Sequence, residues 1–167
     1  SPLHRGAHDP ALLRDPDTAL FDRFVAAGDG LVRMITLAPE LPGGTELLRA
    51  AVGCGVHVAV GHTDATYAQA SEAFAAGADI VTHAFNAMRP LHHREPGVIA
   101  AARDAGVVLE AINDGVHLHD ATVRLLQAAA AARVAFVTDA MAAACGADGH
   151  YLLGTLDVDV VDGVARL

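Results

Sequence analysis

Short apolar segments alternate with longer amphipathic segments along most of the chain, a pattern that predicts alternating strands and helices. The apolar segments that predict strands are 31–38, 56–61, 78–84, 107–113 and 134–138. The amphipathic segments that predict helices are 15–28, 45–55, 65–77, 97–106 and 119–132. Because helices separate strands that are apolar at nearly every position, we expect an α/β fold of parallel βα units with both sheet faces covered.

Capping and turn residues give additional signals for local structure. Asp15 or Asp17 is expected to cap the first helix, and Thr45 the second. The final segment, 151–167, alternates apolar and polar positions and contains Asp162-Gly163, a dipeptide that favours a tight turn. This segment therefore predicts an antiparallel β-hairpin after the last βα unit.

Composition narrows the class of protein without identifying it. The 167 residues suffice for one domain, spanning 1–167, and 53% hydrophobic with 19% charged residues indicates a globular chain. A net charge of −9 argues against nucleic-acid or anionic-membrane partners. No apolar run approaches the roughly 18 residues of a membrane helix, and the polar start is unlike a secretion signal. Two distant cysteines, Cys54 and Cys145, favour a reduced, cytoplasmic protein.

Every predicted strand is followed by polar residues of types that can bind a metal or transfer a proton. His62 follows the second strand, His83 the third, Asp114 and His117 the fourth, and Asp139 the fifth. In parallel α/β folds the carboxyl ends of the strands and the loops after them form the active site. The sequence therefore predicts that these side chains face one site.

Two histidines on neighbouring strands suit a divalent transition metal, with Zn²⁺ as the first choice. If His62 and His83 share a metal, we expect their ligating nitrogens to lie within about 5 Å of each other. A carboxylate from a later strand, Asp139, could then move the proton of an attacking water. No serine or cysteine nucleophile with an adjacent base and no glycine-rich phosphate loop is recognisable.

Each of these residues also has a purely structural interpretation. A single histidine at a strand end is more often a hydrogen-bonded structural residue than a ligand. Asp139 could be an ordinary helix N-cap, and 113–117 could be a turn with an incidental histidine. Asp64 is expected to cap the following helix or to brace His62 rather than to bind metal.

Seven short motifs, in this order and spacing, closely resemble N-acetylglucosamine-6-phosphate deacetylases of the amidohydrolase superfamily. They are "RGAHDP", "TLAPE", "GHTDAT", "THAFNAM", "REPG", "DGVH" and "VTDA". The resemblance covers essentially the whole chain, and "THAFNAM" followed by "REPG" is its most specific part. It implies a TIM-type (β/α)8 barrel in which the five predicted strands are the fourth to eighth. The remaining strands, a small β-domain and a C-terminal part of the family fold would lie outside these residues.

The resemblance also implies roles for individual residues. It implies His62 and His83 as metal ligands, with a third ligand, a glutamate, upstream of Ser1. The metal would be zinc, with iron, cobalt or manganese as alternatives. Asp139 would be the catalytic acid and base, and His8 would bind the acetyl carbonyl oxygen. The implied substrate contacts are Ala7, His8, Asn86, Ala87, Arg94, Asp114, Gly115, Val116 and His117.

The implied reaction is hydrolysis of N-acetylglucosamine 6-phosphate to glucosamine 6-phosphate and acetate. The implied partners are this small sugar phosphate and, for the full-length protein, a second copy that supplies the arginine equivalent to Arg94. Two other hypotheses remain open at this stage. The chain could belong to an amidohydrolase that acts on a different amide, or it could be a catalytically inactive, truncated remnant that serves in binding or assembly.

Overall fold

The structure, a computed structural model, describes the backbone of residues 1–167 and all side chains except that of residue 131. The helices are α1 Thr18–Gly28, α2 Gly44–Gly53, α3 Tyr67–Ala75, α4 Gly97–Ala105 and α5 Asp120–Ala130. The strands alternating with them are β1 Met34–Leu37, β2 His57–Val60, β3 Ile80–Val81, β4 Val108–Ile112 and β5 Val134–Val137. Short 3₁₀ turns cover Pro2–His4, Pro10–Leu12 and Ala131–Arg133.

The five strands form one parallel sheet in the order β1-β2-β3-β4-β5. Each strand pairs with the next along the chain, with Leu37 opposite Val60 and Val60 opposite Val81. The carboxyl ends of all five strands therefore lie at one edge of the sheet. This topology confirms the α/β fold with parallel βα units that the hydrophobic pattern predicts.

The residues that cap the helices agree with the prediction for α1 and differ from it for α2 and α3. Asp17 caps α1 by accepting a hydrogen bond from the Leu20 amide at 3.1 Å. Thr45, expected to cap α2, does not: the helix begins one residue earlier, after Gly43 in a left-handed conformation. Thr66 caps α3 through a capping box with Gln69, so Asp64 is not its cap.

The core is densest around the central strands. Val58, Ala59 and Val60 of β2 are fully buried, as expected for a strand covered on both faces. The outer strands keep apolar side chains in solvent, with Met34 of β1 43% exposed and Phe136 of β5 54% exposed. The expectation that both faces are covered is therefore confirmed for β2 and wrong for the outer strands.

The tail forms a small antiparallel sheet rather than a single hairpin. It consists of β6 Gly149–Leu153, β7 Leu156–Val161 and β8 Val164–Arg166. The predicted turn at Asp162-Gly163 joins β7 to β8, and both residues have the positive φ, 52° and 73°, that such a turn requires.

Among the helices of the described residues, none combines the length and the apolar character of a membrane-spanning helix.

Candidate functional site

His62 and His83 lie side by side just beyond β2 and β3. Their Nε2 atoms are 3.0 Å apart, and the ring centroids are 4.7 Å apart with an interplanar angle of 81°. His83 is buried at 5% exposure, while His62 is partly exposed. The expected proximity of the two ring nitrogens is therefore confirmed.

The hydrogen bonds of His62 leave its Nε2 free to act as an acceptor or ligand. Its Nδ1 lies 2.9 Å from the carbonyl oxygen of His4, and because a carbonyl can only accept, Nδ1 carries the proton. Burial lowers the pKa of His62, and the neighbouring His83 and His8 rings lower it further, so the neutral ring is favoured. Two adjacent imidazole nitrogens, at least one of them an acceptor on a neutral ring, are of the type that transition metals bind, although a catalytic zinc site usually has three protein ligands.

Several residues at the strand ends have a left-handed backbone. His62, His83 and Asp139 have φ of 47°, 30° and 48°, and Phe85 and Ala87 in the loop after β3 have 73° and 45°. Non-glycine residues rarely adopt this region, at a cost of about 1–3 kcal/mol each, and such residues cluster at functional sites. Nothing in the sequence pattern predicts this conformation.

Glu40 and Arg89, to which the sequence assigned no role, hold the loop after β2 together with Asp64. Glu40 accepts hydrogen bonds from the Thr63 hydroxyl at 2.5 Å and from the Asp64 amide at 2.7 Å. The Asp64 carboxylate pairs with Arg89 at 2.5 Å and accepts from the His4 ring at 2.9 Å. The position of Glu40 in "TLAPE" and of Arg89 after "THAFNAM" was the available signal, since both lie just after predicted strands.

His8 and Ala7 belong to an exposed segment that lies over the carboxyl ends of the strands. The His8 ring lies edge-on to that of His62, with centroids 4.6 Å apart, and its Nδ1 donates to the Arg5 carbonyl at 2.7 Å. His8 and His62 line a cavity of about 360 Å³ beside β1. The structure thus brings His8 to the histidine pair.

Asp114, His117 and Asp139 line a second cavity, of about 410 Å³, together with Ala7. Desolvation would raise the pKa of Asp114, but the amides of His117 and Val116 and the His117 ring hold it at about 2. The ring donates to the Asp114 carboxylate at 2.7 Å, and both amides lie at 2.9 Å from it. Gly115, with φ 77°, allows this tight loop. Asp139 is exposed and lies in this cavity rather than in the one lined by His62.

The remaining predicted substrate contacts lie in the loop between β3 and α4. Asn86 donates to the carbonyls of His83 and Ala84 at 3.2 and 3.4 Å, which ties the loop to the histidine pair. Arg94 is exposed at the tip of a turn closed by reciprocal backbone bonds between His92 and Glu95, both 3.1 Å long.

Comparison with known proteins identifies the relatives of the chain. The Amidohydrolase family matches residues 4–152. N-acetylgalactosamine-6-phosphate deacetylase of Escherichia coli O157:H7 is 40% identical over 99% of this chain and 44% of its own length. N-acetylglucosamine-6-phosphate deacetylase of Bacillus subtilis is also 40% identical, over 100% of this chain and 43% of its own length. The chain thus spans less than half the length of these curated relatives.

Solved structures agree with the sequence comparison. The crystal structure of N-acetyl-D-glucosamine-6-phosphate deacetylase from Mycobacterium smegmatis superposes with a TM-score of 0.97 at 48% identity, covering 100% of this chain and 45% of that one. The enzyme from Thermotoga maritima gives a TM-score of 0.87 at 36% identity, covering 100% of this chain and 45% of that one. On the extent of the sequence match, the chain belongs to the amidohydrolase family.

Proposed function

We propose that the chain is the catalytic-site part of a metal-dependent deacetylase that hydrolyses the acetamide of N-acetylglucosamine 6-phosphate. The observation that carries this proposal is the convergence of His62 and His83, with Nε2 atoms 3.0 Å apart, at the active-site edge of a parallel sheet. Relatives named N-acetylglucosamine-6-phosphate deacetylase, aligned over nearly the whole chain, support this choice of substrate, and the relative named for N-acetylgalactosamine 6-phosphate makes that epimer the second candidate.

The fold of the complete protein is proposed to be a TIM-type (β/α)8 barrel. Five sequential parallel strands supply a continuous part of such a barrel, here taken as strands four to eight. The exposed apolar side chains of β1 and β5, among them Met34 and Phe136, are the residues that further strands would cover. The high structural similarity to deacetylases more than twice as long supports the same interpretation.

His62 and His83 would hold the metal, with a glutamate upstream of Ser1 as third ligand. The two rings fit this role, since the His62 Nε2 carries a lone pair and faces the His83 Nε2. Within the described residues no group of three His, Cys, Asp or Glu side chains could hold a metal, which agrees with a ligand from outside this stretch. A bound Zn²⁺, or Fe, Co or Mn in its place, supplies Lewis-acid activation of the amide and of water.

The proton transfers would belong to Asp139. It accepts the proton of the water that attacks the acetyl carbon, and it delivers that proton to the amine nitrogen as the carbon–nitrogen bond breaks. His8 donates a hydrogen bond to the carbonyl oxygen, where negative charge develops, a role worth about 3–4 kcal/mol per donor. The His8 ring is exposed and lies beside His62, and it would exchange its Nδ1 hydrogen bond with the Arg5 carbonyl for one with the substrate carbonyl.

The sugar phosphate would be bound by two loops. Asn86 and Ala87 lie in the loop after β3, and Asp114 to His117 form the loop after β4. Arg94 and His117 are the cationic or hydrogen-bonding groups for the phosphate. In the full-length protein, we propose a homodimer in which Arg94 reaches the site of the neighbouring subunit.

The test is an assay of acetate release by the full-length protein with N-acetylglucosamine 6-phosphate, its galactosamine epimer and unphosphorylated N-acetylglucosamine. We expect turnover of the phosphorylated sugars, and loss of both metal and activity in His83→Ala. His57→Ala, at the opposite end of β2, is the matched control and should keep both. Hydrolysis of another amide but of no amino sugar would identify a different amidohydrolase, and a metal-free protein without activity would identify a remnant.

Arg94 provides a second test, of the phosphate assignment alone. Because its exposed guanidinium can bind a phosphate through two hydrogen bonds, Arg94→Ala should raise the KM for the 6-phosphate sharply. It should change the kinetics with the unphosphorylated sugar little. Equal losses with both substrates would mean that Arg94 has a structural role.

A further inference from the structure

A chain of contacts connects Arg89 and Asp64 to the ring of His62 by way of His4. We propose that Asp64 is a positioning residue that holds the ring of His4, so that the His4 carbonyl fixes the orientation and tautomer of His62. This inference deepens the proposed metal site and rests on the proposed function for its biological meaning. Its first readout, however, requires neither metal nor substrate.

The first link is the hydrogen bond from His62 Nδ1 to the His4 carbonyl, 2.9 Å long. The nitrogen of a histidine that binds a metal is selected by the hydrogen bond that the other nitrogen makes. Gly6 lies against the same ring: a Cβ added there would be 3.3 Å from His62 Cε1. The segment from His4 to Gly6 therefore supports the ring both by hydrogen bonding and by packing.

The second link explains why the His4 carbonyl stays in place. His4 ends a single short 3₁₀ turn, Pro2–His4, in which the His4 amide donates to the Ser1 carbonyl at 3.0 Å. The side chain supplies the firmer attachment, since His4 Nε2 donates to Asp64 Oδ1 at 2.9 Å. The two side chains are only 19% and 27% exposed, so solvent competes weakly with this bond.

The third link fixes Asp64 itself. Arg89 donates to the second carboxylate oxygen of Asp64 at 2.5 Å and to its backbone carbonyl at 2.8 Å. The Arg89 amide also donates to the Thr63 carbonyl at 3.0 Å. Because Arg89 follows the loop that carries His83, the contacts join the loops of both candidate ligands into one unit.

The network could instead be a brace for the loop with no effect on His62. A brace would stabilise the fold, and its loss would lower the melting temperature without a specific change at one ring. A positioning role predicts a change in the tautomer of His62 that is transmitted through His4. Spectroscopy of the histidine ring nitrogens separates these two roles.

The experiment is a long-range ¹H–¹⁵N correlation spectrum of histidine-labelled, full-length protein without metal. We expect His62 to give the Nδ1–H pattern in the wild type and a mixed or reversed pattern in Asp64→Ala. His4→Ala leaves the Asp64–Arg89 pair intact and should change His62 in the same way, although its backbone carbonyl is retained. The double variant should add nothing further, because both residues act on the same bond.

The matched control is Asp79→Ala. Asp79 accepts from His57 at 2.5 Å, so this change also removes a carboxylate from a histidine, but at the amino end of the same strand. It should leave the His62 pattern unchanged. If Asp64→Ala does not fold, as judged by circular dichroism, His4→Ala alone decides the question.

A second readout is the affinity for Co²⁺ added to the metal-free, full-length protein. Loss of a residue that orients a ligand typically lowers metal affinity about 10–100-fold, and we expect at least a tenfold loss in Asp64→Ala. Asp79→Ala should bind Co²⁺ as the wild type does. The proposal is overturned if Asp64→Ala retains the Nδ1–H pattern, or if Asp79→Ala alters His62 equally. A wild-type protein that binds no metal would instead contradict the proposed function and would leave the tautomer result readable.

Discussion

Asp139 follows β5 with φ 48°, and it is exposed and lines the same cavity as Asp114 and His117. Metal ligands cannot carry a proton to an amine leaving group, so a general acid is required, and such groups contribute about 10²–10⁴-fold to the rate. In the full-length protein, we expect Asp139→Asn to keep the metal content and to lower turnover at least ~100-fold. Metal analysis and acetate release check this.

Asp29→Asn is the matched control for this prediction. Asp29 is also exposed and left-handed, with φ 43°, but it ends α1 away from the strand ends. Its replacement should leave turnover unchanged. Loss of metal from Asp139→Asn would make Asp139 a ligand, and normal turnover would remove it from the reaction.

Asp114 permits a prediction about pH. Its folded-state pKa of about 2 lies below its ordinary value of 3.8, so the carboxylate stabilises the folded loop above pH ~4, and this contribution is lost as the pH falls toward 2. A ¹³C titration of the carboxyl group should give the low pKa in the wild type. His117→Ala retains both amide donors but loses the ring, so its Asp114 should titrate between the two values. An Asp114 that titrates near 3.8 in the wild type would contradict the assigned hydrogen bonds.

At this scale, the sequence predicted correctly that His62 and His83 meet, but it did not predict that Asp114, His117 and Asp139 line a different cavity from His62. The position of His62 and His83 after adjacent strands was sufficient to predict ring nitrogens within reach of each other. The left-handed backbone at both residues was not predictable, because it results from the loop around them and not from local propensity. The same reason hid Glu40 and Arg89, whose partners are more than twenty residues away in the sequence.

The end of β2 is packed so tightly that only glycine fits at position 61. A Cβ there would be 2.7 Å from Thr82 Cβ and 2.9 Å from Thr36 Cγ2, and the two threonine hydroxyls are 3.0 Å apart. Gly61 therefore allows β1, β2 and β3 to converge directly below the histidine pair. The spacing of these three strands therefore depends on the absence of a side chain at position 61.

Gly61→Ala should force these strands apart. Overpacking of this kind costs about 1–3 kcal/mol, which urea denaturation would measure as a fall in the free energy of unfolding. Gly53→Ala is the control: no atom lies within 4 Å of its added Cβ at the end of α2, so stability should be unchanged or higher by about 0.5–1 kcal/mol. A Gly61→Ala variant as stable as the wild type would show that the threonines yield freely.

The hydrophobic pattern predicted every helix and every strand of the parallel sheet, but several of the predicted elements are longer than the observed ones. The third strand was expected over 78–84 and pairs only at Ile80 and Val81. Thr82 and His83 follow, and Ala84 donates to the carbonyl of Glu110 at 2.7 Å as the chain enters the loop after β3. Apolar character indicates burial, and a buried site loop satisfies it as well as a strand does.

At the scale of the whole molecule, the sheet as described ends at β1 and β5, and both strands retain exposed apolar residues, with Phe136 54% exposed. Outer strand edges and exposed apolar patches both promote association. A polypeptide of these 167 residues should therefore form oligomers larger than 17.1 kDa, detectable by size exclusion with light scattering.

The same polypeptide should bind zinc weakly in a calorimetric titration, because catalytic sites usually have three protein ligands and only His62 and His83 converge here. His83→Ala should abolish even this weak binding without changing the oligomeric mass, since zinc and association depend on different residues. A monodisperse 17.1 kDa species with tight, stoichiometric zinc would mean that the site is complete within these residues and that the proposed third ligand is wrong.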